Sequence, residues 1–274
     1  MNDFATFTNR TFIRATLVME TALAVGARLS LEPTGTDMPV VKGPDGLPYI
    51  PGSSIKGVLR FQTERLLRGR HRQPDLWACD PFESPCVPDE DRDGRVGKEK
   101  LWVDAKGKDE AFSQKVLAAS CTACRLFGSP WFAGRLAFKD AYLSNGDHLP
   151  VVTQVRDGVG IDRDLGAARS GIKYDFETVV PGARFNVEIV AENLDDRELG
   201  LLLAVLRLWQ EGAIAIGGKS TRGPGWGRLE GLTVQRVDSS NLVHYLLSGA
   251  AGTADLAPYL QAFQRWWQGE ASDA

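Results

Sequence analysis

Four cysteines, the whole complement of the chain, fall in two pairs around one polar stretch. Cys79 and Cys86 are separated by six residues, and Cys121 and Cys124 by two. Four thiolates suit a tetrahedral zinc ion, and the two-residue gap is the usual zinc-knuckle spacing, whereas the first gap is wider than usual. The pattern predicts a structural zinc site. A redox pair and buried free thiols are the alternatives, because a reducing cytoplasm disfavours disulfides.

One acidic side chain, Asp37, stands in the segment Thr36-Asp37-Met38-Pro39-Val40. Such a carboxylate can position or activate a hydroxyl nucleophile, or help to hold a divalent metal ion. We therefore treat Asp37 as the candidate catalytic residue. The alternative is a turn carboxylate, the role that we expect for Asp45 in Pro44-Asp45-Gly46.

A candidate phosphate-binding helix start follows in Ile50–Gly57. Apolar residues recur at helical spacing from here to about Gly69, and Ser53 or Ser54 is placed to cap the first free amides. Lys56 and Arg60 lie one turn apart, beside a helix N-terminus that itself favours phosphate. A solvated helix face is the alternative. The candidate contacts to a phosphate backbone are Ser53, Ser54, Lys56 and Arg60.

A glycine-rich loop, Gly217–Gly227, offers backbone amides, two cations and one tryptophan. It differs from a P-loop, because Ala213 stands where that motif needs glycine and because it lies between a helix and a strand. Amides and cations of such a loop can hold a phosphate backbone without reading sequence. The candidate contacts are Gly217, Gly218, Lys219, Ser220 and Arg222.

Composition limits the class of protein. With 274 residues, 43% hydrophobic and 24% charged, the chain can bury a large core, and we expect one elaborated domain over 1–274. It shows neither a signal-peptide pattern nor an apolar run of about 18 residues, so we expect a cytoplasmic protein without a membrane partner. The net charge of −3 excludes a strongly basic nucleic-acid-binding domain, so cations for RNA must be local.

The elements that position these residues follow from hydrophobic periodicity. Alternation predicts strands over 12–24, 135–143, 184–191 and 226–237, and helical spacing predicts helices over 53–69 and from Asp195 through Leu199–Trp209. The order β, α, β, β, α, β is that of an α+β ferredoxin-like (RRM-like) core, in which two helices cover one face of an antiparallel sheet.

Two long insertions account for the remaining residues. The first, roughly 70–125, contains the cysteines, and a zinc ion there would staple a loop too polar to build its own core. Within it, Asp89–Gly94 resembles the start of a calcium loop, but Lys100 replaces the required glutamate, which favours an acidic surface loop. The second insertion, roughly 150–180, is rich in Gly, Arg and Asp. Loops of this length usually carry function.

Five segments resemble, in the family's own order, the RAMP superfamily, and specifically the repeated backbone subunit of type III CRISPR effector complexes. Thr36–Val40 resembles the segment with the family's cleavage aspartate, and Ile50–Gly57 with Arg60 resembles its Pro-Gly-Ser-Ser helix start. Gly217–Gly227 resembles the family's terminal glycine-rich loop. The resemblance extends over roughly residues 12–235.

The other two segments lie in the middle of the chain. Arg125–Gly128, followed by Gly134–Leu136 and Asp140–Leu143, resembles the family's central strand. Ile161–Arg163 leading to Tyr174–Glu177 resembles its thumb hairpin and the return of that hairpin. The 150–180 insertion is therefore expected to be thumb-like.

The resemblance implies a role in antiviral defence. Copies of the subunit stack along a CRISPR guide RNA with other effector subunits, and each thumb displaces one nucleotide of the guide–target duplex. The single-stranded target RNA is then cut at regular intervals beside Asp37, with Mg²⁺ or a similar divalent ion. The cysteine insertion resembles that of zinc-containing variants. The candidate thumb contacts to RNA are Gln154, Arg156, Arg163 and Arg169.

Three alternatives to a cleaving backbone subunit remain open at this point. A guide-processing endoribonuclease of the same superfamily would often use histidine, but His71, His148 and His244 lie outside any matching motif. A scaffold would hold guide RNA without cutting. A zinc-stapled RNA-binding module would work alone, without a guide.

The end of the chain has its own pattern. Apolar residues recur at helical spacing between Ala254 and Trp267, which predicts a final amphipathic helix. We expect it to pack on the core, with a contact to a partner subunit as the alternative.

Overall fold

A computed structural model describes residues 6–26 and 36–270. The strands are β1 (Asn9–Met19), β2 (Tyr49–Ile50), β3 (Gly128–Ser129), β4 (Phe132–Ala133), β5 (Leu136–Phe138), β6 (Ala141–Tyr142), β7 (Thr153–Ile161), β8 (Ala168–Val179), β9 (Arg184–Glu192) and β10 (Gly227–Asp238). The α-helices are α1 (Gly52–Arg70), α2 (Lys98–Asp104), α3 (Asp109–Ala119), α4 (Thr122–Phe127), α5 (Asp196–Gln210), α6 (Leu242–Ser248) and α7 (Ala257–Gln268).

Four strands form the main sheet in the spatial order β10-β1-β9-β5, and every neighbouring pair is antiparallel. On the central strand β1, Ile13, Leu17 and Met19 alternate onto one face, as the predicted strand requires, and each is at most 2% exposed. Helices α1 and α5 contact each other, and their apolar side chains join the same buried cluster as β1. The prediction of a mixed α+β protein is confirmed.

Two predicted strands are shorter than expected, because some of their residues form hydrogen bonds with segments outside the main sheet. β1 stops at Met19, and the next residues bridge to other segments, Leu23 to Val179 of β8. The strand predicted over 135–143 is divided into β5 and β6. The break falls at Asp140, whose carboxylate accepts a hydrogen bond from an amide of α1.

The start of α1 differs from the sequence prediction. The N-cap residue is Pro51, and no side chain at that position caps the helix. The amide of Gly52 instead donates to Asp140 Oδ1 at 2.7 Å. The prediction that Ser53 or Ser54 caps α1 is therefore wrong, because the acceptor comes from a carboxylate between β5 and β6.

The start of α5 is confirmed at Asp195. Its side chain accepts from the amide of Glu198 at 2.8 Å, and the Glu198 carboxylate accepts from the Asp195 amide at 3.1 Å, a capping box. Glu198 also accepts from Arg135 Nη1 at 2.8 Å, and both side chains are buried. This ion pair fastens α5 to the chain just before β5.

The cysteine-bearing insertion builds a small core of its own, unlike the expectation that it is too polar to do so. It contains α2, α3 and α4, and Val87, Leu101 and Val116 are buried together with partly buried Phe112 and Trp131 around them. The apolar residues are widely spaced along a polar stretch, which is why composition alone did not reveal this cluster.

The last helix, α7, packs along α5 as predicted for a core-packing helix. Gly200 allows the close approach, since a Cβ at that position would lie 2.1 Å from the carbonyl oxygen of Tyr259. Trp266 is buried and Phe263 is partly buried against the core. Over the described residues, no helix has the length and apolar character needed to cross a bilayer.

Candidate functional site

The short segment that follows β1 forms backbone hydrogen bonds with three of the predicted functional segments. Leu23 exchanges backbone hydrogen bonds with the last residue of β8, at 2.8 and 3.0 Å. Ala24 O accepts from the amide of Gly218 at 2.8 Å, and Val25 O accepts from the amide of Val41 at 3.0 Å. The chain just after Asp37, the base of β8 and the glycine-rich loop therefore have fixed positions relative to one another.

Asp37 lies against β8 with its carboxylate exposed. Its amide donates to Asp175 Oδ1 at 2.8 Å, and the Asp175 amide donates back to Asp37 Oδ2 at 3.2 Å. Met38 O accepts from the amide of Glu177 at 3.0 Å, which continues the contact by two residues along β8. These bonds hold a solvent-facing carboxylate in one place, beside a second carboxylate.

Glu177 clamps the chain immediately after Asp37. Its Oε2 accepts from the amide of Val40 at 3.1 Å, and its Oε1 pairs with Lys42 Nζ at 2.6 Å. Burial favours the neutral acid, but hydrogen bonds from Lys42, Thr153 and Val40 outweigh it and hold the pKa of Glu177 below its ordinary value. The ionised form of Glu177 therefore stabilises this arrangement.

The glycine-rich loop brings two cations to the same place. Lys219 Nζ lies 4.6 Å from the ring centre of Phe176 and 5.5 Å from that of Tyr174, and 3.3 Å from Met38 Sδ. Arg222 Nη1 donates to the Tyr174 hydroxyl at 2.8 Å. Cation–π contacts hold the ammonium group while leaving it partly solvated. Lys219 thus contacts the segment that bears Asp37, and Arg222 contacts the strand on which that segment lies.

The path of this loop requires glycine at position 217. Its φ is +86°, and a Cβ there would lie 2.5 Å from Ala24 O. Further along, Ser220 O accepts from Trp226 Nε1 at 3.3 Å, and the amide of Gly225 donates to Ala22 O at 2.7 Å. The loop is folded back on the chain after β1.

The second predicted insertion is a long antiparallel hairpin of β7 and β8. Gln154 and Arg156 lie on β7 near the base, where the Gln154 amide can be oriented so that its oxygen accepts from Arg156 at 3.1 Å. Arg163 and Arg169 are exposed at the far end, around a turn in which Asp162 Oδ1 accepts two amide hydrogen bonds. Exposed apolar side chains accompany them, namely Val155, Val159, Ile161, Leu165 and Ile172.

The residues predicted at the start of α1 take two different surroundings. Ser53 is exposed, while Ser54 and Lys56 are half-buried. Arg60 Nε donates to Glu64 at 2.8 Å, Nη1 to Gly128 O at 3.1 Å, and Nη2 lies 3.7 Å from Cys124 Sγ. The structure therefore places Arg60 at the cysteines.

The four cysteine side chains converge in the core. Each is at most 5% exposed, all are free thiols, and all four sulfur atoms lie within 4.8 Å of one another. Cys79 Sγ is 3.6 Å from Cys124 Sγ and 3.7 Å from Cys121 Sγ. Tetrahedral coordination with metal–sulfur bonds of about 2.3 Å separates sulfurs by about 3.8 Å, so the group has the size of a metal centre.

Hydrogen bonds link the thiols to one another and to the start of α4. The Cys124 amide donates to Cys121 Sγ at 3.4 Å, which makes the Cys121 sulfur the N-cap of α4. The hydrogen bonds among the thiols lower the pKa of Cys121 and Cys86 and raise the pKa of Cys79 and Cys124. The thiolate is the form that binds metal ions.

The Asp37 segment, the base of β8 and the glycine-rich loop together form what we call the Asp37 cluster. Sequence reasoning missed several of its residues. Tyr174, Asp175, Phe176 and Glu177 were noted only as the return of the hairpin, yet each contacts the Asp37 segment or the glycine-rich loop. Their alternation of aromatic and acidic residues was the available signal. It places the two carboxylates on one side of β8 and the two rings on the other.

Comparison with known proteins identifies the family of this chain. The model of the RAMP superfamily matches residues 6–230, well over half of the chain. A curated protein named CRISPR system Cms endoribonuclease Csm3, from Streptococcus thermophilus, is 28% identical over 195 residues, which cover 67% of this chain and 69% of that protein. The predicted family is confirmed: the chain belongs to the RAMP superfamily.

Proposed function

We propose that this protein is the backbone subunit of a type III CRISPR RNA-guided complex. It binds guide RNA and cleaves complementary target RNA at regular intervals, with Asp37 as the catalytic residue. The observation that carries the proposal is that β8 holds the exposed Asp37 carboxylate in a fixed position, while Lys219, which reaches the neighbouring Met38, and Arg222 contact aromatic residues of the same strand. The similarity to a CRISPR endoribonuclease supports it.

We infer that the core is ferredoxin-like. In that fold the first and third strands of βαββαβ lie at the centre of an antiparallel sheet, with the second and fourth at its edges. β1, β5, β9 and β10 have that order, with α1 between the first two and α5 between the last two. The 70–125 and 150–180 insertions then project from one domain, and the β7–β8 hairpin is the thumb.

The chemistry follows from the residues around Asp37. A carboxylate can orient the ribose 2′-hydroxyl or accept its proton, and the nearby cations neutralise charge on the phosphate under attack. The carboxylates of Asp37 and Asp175 provide the oxygen donors that suit Mg²⁺, which would supply Lewis acidity at the scissile phosphate. In-line geometry would come from the nucleotide that the thumb displaces.

The cysteine group supports a structural zinc ion. Four sulfurs at tetrahedral spacing leave no open position for a substrate, as in structural rather than catalytic zinc sites. The residues that would hold zinc are Cys79, Cys86, Cys121 and Cys124. The ion would join the chain after α1 to α4 and so fix the base of the insertion.

Guide RNA, target RNA, further copies of the chain and other effector subunits are the proposed partners. The start of α1, the thumb and the glycine-rich loop provide cations for RNA without a strongly basic net charge. Guide processing by histidine is disfavoured, since His71 ends α1, His148 lies in a turn after β6 and His244 lies on α6. The cytoplasmic location stays a prediction.

Cleavage of a guide-complementary RNA by the reconstituted complex with Mg²⁺ tests the proposal. We expect Asp37→Ala to slow the regularly spaced cuts by roughly 100-fold or more while RNA binding is retained. Asp45→Ala, which removes an exposed turn carboxylate, is the matched control and should cut at the parental rate. Unchanged cutting by Asp37→Ala would place the chemistry elsewhere, and no cutting by the parent complex would favour a non-cleaving scaffold.

A further inference from the structure

Helix α1 carries a charge ladder, formed by Arg60, Glu64 and Arg68, on the side that faces the cysteines. Glu64 is only 7% exposed and accepts from Arg60 Nε at 2.8 Å and from Arg68 Nη2 at 3.1 Å. The three residues are spaced four apart, so they lie in one row along the helix. A buried carboxylate held by two guanidinium groups gives both arginines a fixed orientation.

The outer ends of the ladder reach both cysteine pairs. Arg60 Nη2 lies 3.7 Å from Cys124 Sγ, and its Nη1 donates to Gly128 O at 3.1 Å. Arg68 Nη2 donates to Cys79 O at 2.7 Å. Each arginine therefore joins α1 to a different ligand-bearing segment, one on each side of the insertion.

Charge explains why cations belong here. Four thiolates around a divalent ion leave a net charge of −2, and burying such a charge is costly unless nearby cations and hydrogen bonds compensate for it. A guanidinium group keeps its proton in proteins, so Arg60 supplies a fixed positive charge beside Cys124. The Arg60 side chain is only 22% exposed.

We propose that Arg60, Glu64 and Arg68 are the outer shell of the metal centre, and that Arg60 controls metal retention rather than gripping the guide RNA backbone. This inference rests on the zinc site of the proposed function. It replaces our sequence-based role for Arg60 and leaves Lys56 as the cation of α1 for RNA. Outer-shell partners typically change metal affinity by roughly 10–100-fold.

The test is zinc release from the full-length protein to a colorimetric chelator. A groove of about 430 Å³ beside Cys79, Cys86 and Cys124 gives a small chelator access. We expect Arg60→Ala to release zinc roughly tenfold faster or more than the parent. Arg65→Ala is the control, because Arg65 is exposed on the same helix and contacts Phe61 and Gln62 instead.

A conservative variant and a second readout keep the test decisive. Arg60→Lys keeps the charge but cannot reach three acceptors at once, so its release rate should be intermediate, and it carries the test if Arg60→Ala does not fold. Guide-RNA affinity should be unchanged in both variants. Parental release rates together with weakened RNA binding would overturn the ladder's role, whereas a parent chain without stoichiometric zinc would overturn the metal site itself.

Discussion

The cysteine centre and the Asp37 cluster are built in opposite ways. The four thiols are buried, come from residues within one insertion, and lie beside the charge ladder of α1. The Asp37 cluster is exposed and is assembled from the segment after Asp37, the base of β8 and the glycine-rich loop. The cysteine centre therefore has the features of a structural site, whereas the Asp37 cluster presents fixed charges to solvent.

This difference indicates how the molecule divides its tasks. The cysteine sulfurs contact one another and nearby protein groups, so that region has little capacity left for a substrate. Around Asp37, backbone amides donate to the carboxylates of Asp37 and Asp175, and the side chains of Asp37 and Arg222 remain exposed. We therefore expect changes at the cysteines to alter stability and changes around Asp37 to alter RNA chemistry.

The largest effect outside catalysis is expected for Cys121→Ser. Loss of one thiolate should release the zinc ion and lower the free energy of unfolding by several kcal/mol, about the scale of a structural metal site. Metal analysis and thermal unfolding measure both consequences. Asp89→Asn, an exposed change in the same insertion, is the control. Stoichiometric zinc retained by Cys121→Ser would remove the proposed metal centre.

A smaller effect is expected for Lys219→Gln. The change removes a cation held over Phe176 without disturbing the backbone of the loop. Guide-RNA affinity should fall several-fold, and the slope of its logarithm against the logarithm of salt concentration should decrease by about 1. Lys115→Gln on the exposed face of α3 should leave both unchanged. An unaltered salt slope for Lys219→Gln would place this ammonium outside the RNA path.

The smallest effect concerns the clamp at Glu177. Because folding lowers its pKa, the ionised carboxylate stabilises the protein above the unfolded-state pKa of about 4.3, and this stability is lost as pH falls through the folded-state pKa. Glu177→Gln should cost about 1 kcal/mol at pH 7 and progressively less at acidic pH. Unfolding titrations from pH 7 to pH 3, with Glu83→Gln as control, measure this. A pH-independent cost would contradict the electrostatic explanation.

Local patterns made part of the fold predictable. The β1 alternation and the start of α5 at Asp195 depend on residues close in sequence, and both appear as predicted. The hydrogen-bond acceptor at the start of α1 could not be predicted in this way, because Asp140 is 88 positions from Gly52. No local sequence pattern indicates that a distant carboxylate will lie at the start of a helix.

The same distinction applies to the candidate site. Asp37, the cysteines and the glycine-rich loop were visible as motifs with their own chemistry. Asp175 was not recognised, because its contact with Asp37 joins residues 138 positions apart. Arg60 was assigned to RNA from its place on a basic helix, and only its packing against Cys124 suggests a different role.

The most direct test of this division of tasks measures bound zinc and target-RNA cleavage in one variant of each region. Complexes reconstituted with Asp37→Ala or Cys121→Ser would be compared with the parent for bound zinc and for the rate of target-RNA cleavage per guide-bound complex. We predict that Asp37→Ala keeps its zinc and loses cleavage, whereas Cys121→Ser loses zinc and keeps cleavage in whatever complex still assembles. Parental cleavage by Asp37→Ala with target bound would contradict the account.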